Sequence, residues 1–255
     1  MDSDDELTLS SSAMDALKAF YAERDENARR FAELNAAATA AAAAAAAAGA
    51  EADKPALIEP LATLEVPLSM KLFTEDWNAS QFWYSDDTAN LLARQLMAGA
   101  GPETLIAVVS TPSVFVALKN AMVSMPDAEK PKLLLLEYDH RFAVFPEFVH
   151  YDFNAPTKLP ASLRGTADRI MVDPPFLSED CQTKTALTAR WLARSVTKPV
   201  ILSTGERMAP LIIEKLYKAQ GLRPTDYVPE HAHGLSNEFY CYANFESPDW
   251  KFLAD

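Results

Sequence analysis

The sequence predicts a Rossmann-like α/β domain: a seven-stranded, mostly parallel sheet with an antiparallel last strand, plus an N-terminal helix. Three observations carry this. Short apolar runs recur without polar alternation, as in "TLIAVVS" at 104–110 and "KLLLLEYD" at 132–139. Helical stretches separate most of the strands. The chain then closes with two strand-like segments, "PTDYVPE" and "EFYCYANFE", with no helix between them. Continuous apolar strands alternating with helices describe a parallel sheet covered on both faces. Two successive strands joined without a helix pair in hairpin fashion, so the last one runs antiparallel.

Taken in order, the chain reads as three parts: 1–35, an acidic start and a helix; 36–70, an alanine-rich insertion and a proline linker; and 71–255, the α/β domain. Ser12 to Asp15 has the form of a capping box. Met14, Leu17, Tyr21, Ala28, Phe31 and Leu34 then form a helical stripe. The tract "NAAATAAAAAAAAAGAEADKP" can prolong a helix, since alanine has the best helix propensity, but it offers little to pack. It reads as a tolerated insertion or a spacer. Pro55, Pro60 and Pro67 make residues 55–68 an extended linker.

From Lys71 the character changes. "NASQFWYS" carries three aromatics, and Ser85 caps a helix with Thr88 to Met97 as its body. A buried strand at 104–110 leads to a helix from Ser113 to Met122. Strands come next at 132–139, 147–153 and 168–173, then a helix from Ser178 to Ser195. A fifth strand at 199–205 precedes a helix from Arg207 to Gln220, and segments 224–230 and 238–246 form the last two strands.

The net charge of −13 bears on the partner. Residues 1–76 carry 15 acidic and 6 basic side chains, the rest 21 and 17, and no run of Lys or Arg stands out. Proteins that grip nucleic acid by its phosphates show a basic stripe. This surface instead suits a basic or neutral partner. Cys181 and Cys241 read as reduced thiols. The start "MDSDDELTLS" is acidic where a leader peptide would be basic, and no apolar run is long enough to span a membrane. A cytoplasmic location is expected.

In an open α/β sheet, ligands bind beyond the carboxyl ends of the strands. The first strand ends at Ser110, Thr111 and Ser113, the second at Glu137 and Asp139, the third at Asp152, and the fourth at Asp173. Three successive strands thus deliver carboxylates to one edge. An acid after the second strand is placed to accept hydrogen bonds from a ribose diol, and one after the third can meet an adenine amino group. "VVSTPSVF" has no glycine, which argues against a pyrophosphate. A cofactor with adenosine but no phosphate, S-adenosyl-L-methionine, relaxes that demand.

Asp173-Pro174-Pro175-Phe176 is the most pointed feature. Prolines donate no hydrogen bond and restrain the residue before them. The Asp173 and Pro174 carbonyls are therefore freed from helix duty and, with the Asp173 carboxylate, make a rigid cluster of acceptors beside a flat aromatic wall. Such a cluster suits an amine that is to receive a methyl group.

The motif Asp-Pro-Pro-Phe after the fourth strand resembles the signature of amino-group methyltransferases. With "SQFWYS", "LLLLEYDHRF", "VDPPFLSEDC" and "LSNEFYCYANF", the chain over about 71–250 resembles the eukaryotic elongation factor 1-alpha lysine methyltransferase family, formerly described as adenine-specific DNA methyltransferases. The resemblance implies a class I methyltransferase domain using S-adenosyl-L-methionine. It would place Glu137 and Asp139 at the cofactor ribose and Asp152 near its adenine. Ser110, Thr111 and Ser113 stand where the glycine-rich loop usually lies. Asp173, Pro174, Pro175 and Phe176 would hold the accepting amine, while Gln81, Trp83 and Tyr84 would close over cofactor and substrate; Trp83 and Tyr84 read equally well as core aromatics. A monomer is expected.

The motif serves lysine and adenine alike. Lysine, with a pKa of ~10.4, is neutral in only about one molecule in 2,500 at pH 7, a cost near ~4.6 kcal/mol. Burial among Phe176, Tyr84 and Trp83 would oppose the charge while cation–π attraction holds it. The acidic balance favours a lysine of a basic protein, with elongation factor 1-alpha as the family-implied substrate. Adenine methylation in RNA or DNA is the alternative, and a cofactor-binding module without catalysis is a third reading that the intact Asp173 motif opposes. His231, His233 and Cys241 lack the paired spacing of a zinc site.

Overall fold

A computed structural model describes residues 10–47, 67–235 and 239–254. The expected linker prolines Pro55 and Pro60, most of the 36–70 segment and part of "LSNEFYCYANF" lie outside the described residues. Helix α1, Ser11–Ala47, is continuous across residue 35 into the alanines. Its cap is Ser10, two residues before the expected one: the Ser10 Oγ accepts from the Ala13 N–H at 3.2 Å. Leu34 of α1 is buried, with Phe31 and Ala38 packed beside it. Phe31 meets the ring of Phe73 edge-on at 5.7 Å.

The sheet has the order β3-β2-β1-β4-β5-β7-β6. Its parallel strands are β1 Leu105–Val109, β2 Lys132–Glu137, β3 Phe148–His150, β4 Arg169–Val172 and β5 Val200–Gly205. The strand β7, Phe239–Ala243, lies antiparallel between β5 and β6, Arg223–Pro224. Helices α2 Asp86–Met97, α3 Pro112–Met122 and α4 Glu179–Leu192 cover the faces. All of β1 is buried because both faces are packed: Ile106 and Val108 join α2 and α3, whereas Leu105, Ala107 and Val109 join α4. Since β1 pairs with both β2 and β4, the winding reverses between β1 and β4, which opens a crevice at their carboxyl ends. This is the strand order of a class I methyltransferase sheet.

Helix caps follow the sequence. Ser85 accepts from the Thr88 N–H, and Ser178 from the Cys181 N–H. Two elements depart from expectation. The segment 224–230 is a strand only at Arg223–Pro224, because the chain leaves the sheet to pair elsewhere: the Asp226 N–H donates to Lys251, and Glu230 accepts from the Ser85 N–H. The stretch 207–220 is not one helix. It divides into a 3-10 turn at Glu206–Met208, an α turn at Ala209–Leu211 entered by Pro210, a π-helical piece at Ile212–Leu216 and a second 3-10 turn at Lys218–Gln220. Among the described residues, no helix is long and apolar enough to cross a membrane.

Candidate active site

A cleft of about 760 Å³ opens over the carboxyl ends of β1, β2, β3, β4 and β5. Ser110, Thr111, Ser113, Glu137, Asp152, Asp173, Pro174, Pro175, Phe176, Gln81, Trp83 and Tyr84 all line it. Of the residues expected there, Asp139 alone does not.

The β1 end is a tight turn. Ser110 has φ of 57°, a left-handed conformation that strains a residue with a Cβ by on the order of 1–3 kcal/mol. Its N–H still donates to Leu136 at 2.9 Å, so the turn begins where the ladder ends. Helix α3 starts directly after it at Pro112, where the missing N–H costs nothing. The Ser113 Oγ accepts from the Tyr84 N–H at 3.2 Å and so ties this turn to the 81–84 loop.

At the end of β2, Glu137 is almost fully buried. Its Oε1 accepts from the Tyr138 and Asp139 N–H groups at 2.9 and 3.1 Å. Burial pushes its pKa up to about 7, although those two bonds favour the charged form. Among the described residues no hydrogen bond reaches Oε2, which leaves it for a ligand. Asp139 is engaged differently: it caps the turn after it at the Arg141 N–H, pairs with the Arg141 guanidinium at 2.6 Å and accepts from Gln81 Nε2 at 2.9 Å. Burial alone would raise its pKa, but the hydrogen bonds from Arg141 and Gln81 hold it below the usual value. Gln81 in turn receives the Asp76 N–H and Arg141 on its Oε1. Asp139 and Gln81 are thus joined in one network that braces the cleft wall.

Asp152 accepts from the Asn154 N–H at 2.8 Å, a local turn that fixes its carboxylate at the β3 end. Next to it, Phe153 lies 5.7 Å from the ring of Phe176.

Asp173 extends β4 by one bond, its N–H donating to Val109 at 3.0 Å. Among the described residues nothing donates to the Asp173 or Pro174 carbonyl, and no helical bond engages them because helix α4 begins only at Glu179. Buried Gln182 holds the end of the motif by donating to the Phe176 carbonyl at 3.1 Å, leaving Phe176 itself 41% exposed. The Tyr84 hydroxyl donates to Asp173 Oδ2 at 2.7 Å. Burial pushes Asp173 up to about 7; Tyr84 opposes that rise and the Glu137 charge adds to it. Tyr84 itself is raised well above its ordinary value by burial and the Asp173 charge, so it remains a donor.

Tyr84 is placed by a short bridge to the loop after Glu230: it pairs with His231, and the Ala232 N–H donates to Trp83 at 2.8 Å. Trp83 is a core residue at the cleft's edge. It is buried, its indole donates to the Phe73 carbonyl at 2.7 Å, and it meets Phe142 edge-on.

Several residues in and around the cleft escaped the sequence reading. Glu75, nearly buried, accepts from the Trp83 N–H and the Trp77 indole at 2.8 and 2.9 Å and so shapes the aromatic loop. His231 packs 4.8 Å from Tyr84 and 5.0 Å from Phe239, and burial lowers its pKa to about 4 despite Glu75. It forms an uncharged part of the cleft wall; among the described residues there is no group of three or more His, Cys, Asp or Glu that could hold a metal ion, and Cys241 is buried in the core. Tyr138 and Arg207 also line the cleft. Tyr138 had one signal, its place between two acids at a strand end. The others had none nearby in sequence.

The chain is similar to known proteins over this region. The family described as "Probable N6-adenine methyltransferase" matches residues 75–247. Protein-lysine N-methyltransferase EFM5 of Saccharomyces cerevisiae is 46% identical over 198 residues, covering 72% of this chain and 78% of that protein. EEF1A lysine methyltransferase 1 of Homo sapiens is 38% identical over 178 residues, covering 69% and 78%. A protein-lysine N-methyltransferase of Dictyostelium discoideum is 30% identical over 248 residues, 96% of this chain and 94% of that one, so it spans α1 as well. The family match runs from Glu75 through β7 and takes in every strand of the sheet and all the site residues placed above: the chain belongs to the "Probable N6-adenine methyltransferase" family.

Proposed function

We propose that the chain is an S-adenosyl-L-methionine-dependent protein-lysine N-methyltransferase whose substrate is translation elongation factor 1-alpha. The observation that carries the choice of lysine is the charge of the cleft. Glu137, Asp152 and Asp173 line it among aromatic rings, and Arg207 is the only Lys or Arg among the described lining residues. A cationic ammonium is drawn to such a cleft, whereas a nucleic-acid backbone is repelled. The names of the relatives EFM5 and EEF1A lysine methyltransferase 1 support the same reading.

The cleft also suits the cofactor. Glu137, buried with Oε2 unengaged, is the acceptor for a ribose diol, Asp152 suits the adenine edge, and the Ser110–Thr111 turn lies between them and Asp173. When bound, the cofactor supplies an electrophilic methyl group on a sulfonium. The chain's own residues prepare the amine. Asp173 attracts the incoming ammonium, and Tyr84 fixes the carboxylate by occupying Oδ2, which leaves Oδ1 as the acceptor for the substrate. Raised to about 7, Asp173 closes about half of the ~6.5-unit gap between an ordinary carboxylate and a lysine ammonium. Proton transfer from the ammonium is then less uphill than to an ordinary carboxylate, and the desolvation of the amine must supply the rest. Phe176, Tyr84 and His231 supply apolar walls that disfavour the charged amine. The reading keeps the enzyme in the cytoplasm; Cys181 and Cys241 are free and buried.

The description of the matched family favours adenine as the second reading. Incubation with radiolabelled cofactor and, in parallel, purified elongation factor, bulk RNA and bulk DNA separates the two. Label is expected on elongation-factor lysine; label on nucleic acid alone overturns the proposal.

A further inference from the structure

Arg207 is an unexpected residue in an acidic cleft. It lies after β5 in the turn Glu206–Met208, lines the cleft and is exposed there. Most arginines of the chain sit beside a carboxylate, including Arg24, Arg29, Arg94, Arg141 and Arg194. Among the described residues Arg207 has no such partner. Its Nη2 donates to the Leu177 carbonyl at 3.1 Å, one residue past the Asp173 motif. That backbone is held close: the Leu177 side chain packs so tightly over Gly205 that a Cβ there would stand 2.9 Å from it. The guanidinium is therefore tethered by one nitrogen, and its remaining N–H donors are left for another acceptor.

The strand order says which ligand that acceptor belongs to. Glu137 and Asp152 end β2 and β3, on one side of β4, while Arg207 ends β5 on the other. Neighbouring strands lie ~4.8 Å apart, so Arg207 stands one strand from Asp173 and on the side away from the cofactor acids. A cation there opposes capture of the target ammonium; the adjacent Glu206 carboxylate accepts from the Tyr240 hydroxyl and makes no pair with Arg207, so an anion arriving with the substrate would offset the charge. Arginine is suited to this, since its planar fork binds a carboxylate through two parallel hydrogen bonds.

We infer that Arg207 is a specificity-determining residue that binds an aspartate or glutamate of the protein substrate near the methylated lysine. This rests on the lysine reading given above. An extended chain advances ~3.3 Å per residue, which places the acid within about three residues of the lysine if one side chain reaches Asp173 and the other Arg207. The enzyme would then select lysines in a mixed-charge segment, although its cleft is acidic.

The test uses the full-length enzyme and whole elongation factor 1-alpha. The modified lysine is located by mass spectrometry, and each acidic residue within about four positions of it is replaced in turn by its amide. One replacement is expected to raise KM roughly 3- to 10-fold for the wild-type enzyme, with kcat little changed. Arg207→Glu should lose that dependence and prefer a lysine at the same substrate position, whereas Arg207→Lys retains it in weakened form. Wild-type turnover indifferent to every replacement, or an Arg207→Glu loss of kcat equal on all substrates, overturns the inference and leaves the lysine reading standing. No label on the elongation factor overturns both.

Discussion

The Tyr84 hydroxyl donates to Asp173 Oδ2 at 2.7 Å across 89 residues of sequence. This bond joins the aromatic loop before α2 to the motif after β4. It also distinguishes the carboxylate oxygens: Oδ2 is held by Tyr84, whereas among the described residues no hydrogen bond reaches Oδ1.

The charge of Asp173 should be needed for methyl transfer. Asp173→Asn keeps an acceptor for Tyr84 but removes the proton acceptor for the ammonium. The turnover number on protein substrate is expected to fall ~10²–10⁴-fold, the usual range for a positioned acid or base. Cofactor affinity, measured by calorimetry, should be little changed. An equal loss of cofactor affinity would assign Asp173 to the wrong ligand.

The same carboxylate makes folding depend on pH. Its folded pKa of about 7 lies above the unfolded value of ~3.9. Between these values the folded state binds the extra proton, so its contribution to stability falls as pH rises from about 4 to about 7 and then levels off. Asp173→Asn should therefore stabilise the ligand-free protein at pH 8, by on the order of 4 kcal/mol at most, and hardly at all at pH 4. Denaturant titrations at both pH values check this; an equal gain at both would contradict it.

Tyr84→Phe removes a bond that favours the ionised carboxylate. The Asp173 pKa then rises, so the acidic limb of the kcat/KM profile should move to higher pH. At neutral pH activity should drop by roughly 10-fold, in line with loss of one hydrogen bond to a charged group. A pH–rate profile with its acidic limb unmoved would separate Tyr84 from the titrating group.

Glu137→Gln should weaken cofactor binding by about 10-fold or more with a smaller effect on turnover. Because burial pushes the Glu137 pKa up to about 7, wild-type cofactor affinity should also decline below neutral pH, and the variant should lose that slope. Asp139→Asn should mainly loosen the contact with Arg141 and Gln81. Its signature is a lower melting temperature with a smaller change in cofactor dissociation constant than Glu137→Gln. If the two variants weaken cofactor equally, Asp139 belongs to the ribose site after all.

Trp83 packs as core. Trp83→Phe leaves the buried Phe73 carbonyl without its donor, so stability should fall by about 1–3 kcal/mol while KM for protein substrate holds. A selective rise in KM would return Trp83 to the substrate wall.

The sheet and the chemistry at its strand ends are legible in the chain alone. The continuous apolar runs at 104–110 and 132–137 could only be buried on both faces. The residue that ends a strand is read locally, so Glu137, Asp152 and Asp173 were legible, as was the freeing of carbonyls by Pro174 and Pro175. What each carboxylate does is set by tertiary contacts. Glu137 and Asp139 are two residues apart at one strand end, yet one keeps an oxygen open to the cleft and the other is consumed by Arg141 and Gln81. The left-handed turn at Ser110, the Glu75 clamp on the aromatic loop and the placing of His231 against Tyr84 likewise depend on contacts between distant segments. Local propensity carries no record of such contacts, because packing sets them only once the sheet has brought its strand ends together.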